Sequence, residues 1–150
     1  MLNKTIIMIG KGTYYISNCP CIIKSLKKCP TYITNLNNLC NGFYGRLLTR
    51  LRLGLSGLNA HRFKYNLCNT PICPLCNLSP ENNMHYFFNC PAHDFACLHF
   101  LNLLNSELEL DTSDKPKTLD IILHGKLNHN LYPPLLSYIY QYIENTGRFQ

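Results

Sequence analysis

The sequence predicts a mainly α fold, a small zinc-stapled helical domain in which a zinc-knuckle-like turn joins about four to five helices. Three observations predict it. Cys73, Cys76, His85 and Cys90 fall at metal-ligand spacing; leucines and aromatics recur at helical pitch after residue 42; proline and glycine stand where helices should start and stop. A length of 150 residues suits one domain, and 46% apolar against 15% charged residues is too apolar for a disordered chain.

Residues 1–42 read as an irregular basic leader, with clustered lysines and scattered cysteines but no sustained period of 3.6 or 2. A short strand is expected at Thr5–Ile9. Cys19, Cys21 and Cys29 have no fourth ligand at a familiar spacing. The helical domain is assigned to residues 43–150. Its first helix starts near Arg46, with Leu47, Leu48, Leu51, Leu55 and Leu58 on one stripe and Arg46 and Arg50 on another face, and holds to about Leu53. Ser79-Pro80-Glu81 has the composition of a helix start, and the helix it opens carries His85 until Pro91 stops it. A helix at about Ala92–Glu107 is expected to bury Phe95, Leu98, Leu101, Leu104 and Leu108. Asp111 to Lys117 reads as a loop. Leu119, Ile122 and Leu123 mark a short helix ended by Gly125, and Leu135, Leu136, Ile139, Tyr140 and Ile143 a last one that stops near Gly147.

The spacing Cys73-x2-Cys76-x8-His85-x4-Cys90 supplies three thiolates and one imidazole, a complete tetrahedral set for a structural Zn2+ within residues 73–90. No position is left for substrate, which argues against catalysis at the metal. Pro71 and Pro74 restrict the turn that aims the first two sulfurs. His85 and Cys90, five residues apart, would diverge by about 140° on an unbroken α-helix. Pro91 relieves this by driving Cys90 out of helical geometry.

Charge divides the chain. Residues 1–80 hold six Lys and four Arg with no acid, a balance of +10, whereas residues 81–150 hold four cations against eight acids, a balance of −4. A polyanion-facing half is the expectation, with RNA or DNA as the partner. Arg46, Arg50, Arg52, Arg62 and Lys64 are the phosphate-binding candidates, and His61, Phe63 or Tyr65 could stack on an unpaired base. Nine cysteines, an odd count, and an N-terminal apolar run limited to Ile6–Ile9 point to a reducing compartment, cytoplasm or nucleus, without a membrane partner.

Several segments together carry a resemblance. Leu47-Leu48-Thr49-Arg50-Leu51-Arg52-Leu53-Gly54 comes first, followed by Ser56, Leu58-Asn59, His61-Arg62-Phe63, Asn66 and Pro71. The four ligands follow with Glu81 ahead of His85, then Ile122-Leu123-His124-Gly125, and finally Tyr142-Ile143 with Arg148-Phe149. This pattern, over about residues 42–149, resembles the C-terminal zinc-binding region of reverse transcriptases from non-LTR, LINE-type retrotransposons. The resemblance implies a non-catalytic tail or fragment that binds nucleic acid, with parent reverse transcriptase domains as further partners. No Tyr/Phe-x-Asp-Asp pair is present, and residues 1–80 offer no carboxylate for two-metal chemistry. The alternative is a structural or protein-docking module in which zinc is only a staple.

Overall fold

The computed structural model describes residues 6–8, 13–15 and 42–149. The chain divides into two units, residues 1–35 and 36–150. In the first, β1 (Ile6–Met8) pairs antiparallel with β2 (Thr13–Tyr15), with Ile7 opposite Tyr14. The strand expected at Thr5–Ile9 is therefore present in shorter form. Cys19, Cys21 and Cys29 lie outside the described residues.

The second unit is mainly helical, as expected. Its described residues form α1 (Gly42–Leu53), α2 (Asn59–Lys64), a π-helical turn (His85–Asn89), a 3-10 turn (Pro91–His93), α3 (Asp94–Leu108), α4 (Lys115–His124), a 3-10 turn (His129–Leu131) and α5 (Tyr132–Thr146). Helix α1 buries Leu47, Leu48 and Leu51 and packs on α4; Leu58, beyond its end, is fully buried, whereas Leu55 is half exposed. Asp114 caps α4 by accepting from the Lys117 N–H, so residues 115–117, expected in a loop, form its first turn with Pro116 in a position that needs no donor. Gly125, in the left-handed region, ends α4, and Gly147 ends α5 in the same way.

Helix α3 packs chiefly against α5, through a face that shares Leu104 and Leu108 with the expected one but departs from it in the first turns. Ala96, Phe100, Leu104 and Leu108 are buried, whereas Phe95 is 87% and Leu98 61% exposed. Helix α5 buries Tyr132, Leu135, Leu136, Ile139, Tyr142 and Ile143, and Tyr140 turns instead toward the Tyr44 ring, 4.9 Å away between centroids.

Between these two helices lies an aromatic cluster that fixes the segment carrying His85. Tyr142 stacks on Phe87 at 5.3 Å and meets Phe100 at 5.0 Å and Tyr86 at 5.4 Å. Its hydroxyl donates to the Tyr86 carbonyl at 2.5 Å, and the Tyr86 hydroxyl pairs with Thr146 Oγ1 at 2.8 Å. The rings of residues 86 and 87 thus anchor the π turn in the core, and the residues bounding it, His85 and Cys90, are held at fixed points.

Candidate metal centre

Residues 71–81 form a narrow antiparallel ribbon with the first two cysteines at its tip. Ile72 bridges Pro80, the Cys73 N–H donates to the Ser79 carbonyl at 2.9 Å, and the Glu81 N–H donates to the Pro71 carbonyl at 2.8 Å. The turn closes with the Asn77 N–H on the Cys73 carbonyl at 2.9 Å, and Asn77 takes φ of 57°, a left-handed conformation that asparagine tolerates. A ribbon closed this way aims both sulfurs to one side.

Ser79, Pro80 and Glu81 therefore do not begin a helix, contrary to the expectation from sequence. Pro80 sits in the bridge, and the Asn82 side chain takes the capping role by accepting from the His85 N–H at 2.8 Å. The Ser79 hydroxyl instead lies 2.8 Å from His85 Nδ1, which orients the imidazole and leaves Nε2 for a ligand.

Cys90 has φ −82° and ψ 114°, extended as the following proline requires. The π turn was not foreseen. Its larger number of residues per turn takes up part of the divergence that an α-helix would impose between His85 and Cys90.

The result is convergence. The Sγ atoms of Cys73, Cys76 and Cys90 and a ring nitrogen of His85 all lie within 4.8 Å of one another. Cys73 Sγ is 3.8 Å from Cys90 Sγ, and Cys76 Sγ is 3.3 Å from His85 Nε2. A tetrahedral ion with metal–sulfur bonds of about 2.3 Å needs sulfurs about 3.8 Å apart. The donor set fits a divalent metal in its separations as well as its chemistry. Cys73, His85 and Cys90 are buried and Cys76 is half-buried, so the site opens toward solvent on one side.

The ligand side chains differ in their protonation. Burial holds the His85 pKa below its ordinary value, so the imidazole is neutral at pH 7. The Leu78 backbone N–H favours the Cys76 thiolate and lowers its pKa, whereas burial pushes the Cys90 thiol up to about 12.

Beneath the ligands lies a charge pair that sequence reading missed. Glu81, 1% exposed, accepts from Arg148 Nε at 2.5 Å, from Arg148 Nη2 at 2.7 Å and from the Asn59 N–H at 2.7 Å, and its Oε1 is 4.0 Å from Cys73 Sγ. The available signal was the solitude of Glu81, the first acid in the chain.

Of the residues expected to contact nucleic acid, Arg46, Arg50, Arg62 and Lys64 are exposed, as are Phe63 and Tyr65. Arg62 Nη2 donates to the Leu67 carbonyl at 3.1 Å, and Lys64 Nζ stands 5.8 Å from the Tyr65 ring centroid. The other two have internal partners. Arg52 Nε donates to the Leu123 carbonyl near the end of α4, and His61 Nδ1 lies 2.8 Å from the Ser56 hydroxyl. Among the described residues, no helix is long and apolar enough to cross a membrane.

No family model matches the chain, nor does any curated protein or solved structure.

Proposed function

We propose that this chain is a non-catalytic zinc-binding module that binds RNA or DNA through its basic surface, the role implied by its resemblance to the tail of LINE-type reverse transcriptases. The observation that carries the reading is the joint placement of two features in one compact unit. Four ligand atoms converge at tetrahedral spacing, and the segment leading to them carries exposed Arg46, Arg50, Arg62 and Lys64 with exposed Phe63 and Tyr65. Residues 42–80 contain no acid, and the first one after them, Glu81, is buried against Arg148. Phosphates are attracted by the cations, and unpaired bases stack on the rings. Single-stranded or structured RNA suits such a surface best, because its bases can splay out. With three thiolates and an imidazole the ion is Zn2+, and its four positions are filled, leaving it a structural role.

Binding is tested by titrating the zinc-loaded chain with a labelled single-stranded RNA over a range of salt. Affinity is expected to fall steeply with salt, and Arg50→Ala combined with Lys64→Ala to reduce the log–log slope by about 1.4, at roughly 0.7 per phosphate contact. Absence of binding at low salt ends the reading.

A protein-docking role has its own supporting observation. Exposed Phe95 borders a groove of about 460 Å³ lined also by Leu75, Ala92, His93 and Thr146, and exposed Leu98 lies on the same helix. This reading gains if Phe95→Ser raises solubility while RNA affinity is nil.

A further inference from the structure

We infer that residues 148–149 form a latch on the metal centre, in which Arg148 and Glu81 are positioning residues for the ligand set, so that metal occupancy and latch docking favour one another. Resting on the metal-binding reading above, this assigns a role to two residues that touch no metal.

Charge comes first. A divalent ion with three thiolates and a neutral imidazole carries a net −1, and the Glu81 carboxylate, 4.0 Å from the Cys73 sulfur, adds a second negative charge. Arg148 brings the compensating cation from 67 positions away in sequence and grips both carboxylate oxygens. Its fork geometry fixes the carboxylate's orientation as well as its charge. Without the guanidinium, a buried carboxylate faces the thiolates with no compensating cation, an arrangement that is relieved by moving the ribbon. The ribbon is where Cys73 and Cys76 sit, and Glu81 is hydrogen-bonded into it through Pro71.

The latch also reaches the other half of the ligand set. Arg148 Nη2 donates to the Gly57 carbonyl at 3.2 Å, and the Phe149 ring meets Tyr86 edge-on at 5.2 Å. Tyr86 directly follows the ligand His85. Residues 148–149 thus hold Cys73 through Glu81 and His85 through Tyr86, and the two halves meet correctly only when both contacts are made. Thermodynamic reciprocity then requires that, if docking raises metal affinity by some factor, metal raises docking by the same factor.

Two measurements on the full chain test this. In the first, Zn2+ affinity is read by competition with a chromogenic chelator. Arg148→Ala is expected to lower it by about 10–100-fold, the usual effect of removing an outer-shell partner, and Arg148→Lys to recover part of the loss. Arg148→Ala should cost little more once Glu81→Gln is present, because the two act through one contact. The second needs no variant: backbone amide exchange at Arg148 and Phe149 in the unaltered chain is expected to slow on Zn2+ addition. Unchanged zinc affinity in Arg148→Ala, or exchange at these amides indifferent to Zn2+, overturns the latch and leaves the metal site standing. A chain that takes up no Zn2+ overturns both.

Discussion

A Cβ added at Gly125 would run into the Tyr132 hydroxyl and ring, with φ already at +60°. Gly125→Ala therefore combines left-handed strain with displacement of a buried ring, and a loss of about 3 kcal/mol or more is expected in urea unfolding. A variant within about 1 kcal/mol of the parent would show that Tyr132 can leave its place without cost. Gly125 was legible in the sequence as a helix stop, but its second role was not, because Tyr132 approaches it only after the chain has turned into α5. Ser79 teaches the same lesson at the metal site. A serine before a proline and an acid has the composition of a helix cap, yet its hydroxyl orients His85. Ser79→Ala is expected to weaken Zn2+ binding by about 10-fold, near the low end of outer-shell effects, as measured by chelator competition; no change would make the 2.8 Å contact incidental.

Periodicity located the helices but did not always choose their faces. In α1 and α5 most of the expected apolar positions are buried, because one stripe clearly dominates each helix. Helix α3 is apolar over more of its circumference, and two stripes compete there: Phe95, Leu98, Leu101, Leu104 and Leu108, or Ala96, Phe100, Leu104 and Leu108. Leu104 and Leu108 belong to both. The choice falls to the preceding 3-10 turn at Pro91–His93, which advances about 120° per residue instead of 100° and so sets the phase at which α3 begins. Pro91 opens that turn directly after Cys90, so one proline bears on both the site and the helix phase. Phe100→Ala is accordingly expected to cost about 3–5 kcal/mol, and Phe95→Ala to stay within about 0.5 kcal/mol, both in urea unfolding. Equal costs would restore the face first read from sequence.

For the molecule as a whole, the four metal-ligand candidates were legible from spacing, and what could not be read was the structure that holds them: the ribbon, the π turn and the Glu81–Arg148 pair. Each depends on partners distant in sequence. Their convergence has a consequence for pH. In the metal-free chain the Cys90 thiol, held up to about 12 by burial, keeps its proton at neutral pH, so metal must displace it. Lowering the pH strengthens that competition, and the apparent Zn2+ affinity is expected to fall by at least about one decade per pH unit between pH 7.5 and 5.5, the share of the single proton that Cys90 must release. Buried His85 and His93 act in the same direction, since burial holds both below the ordinary value. An unfolded chain takes up their protons below about pH 6.5 while the folded one resists, so stability present above that pH is lost as it falls. The difference between melting with and without a chelator reads the metal part. Structural zinc in small peptides is worth roughly 10–16 kcal/mol at neutral pH, comparable to the stability of a whole domain, so chelation is expected to lower the melting temperature more than any single surface substitution does. A melting curve and a zinc affinity both indifferent to pH would mean that the three sulfurs and the imidazole, though close, do not share an ion.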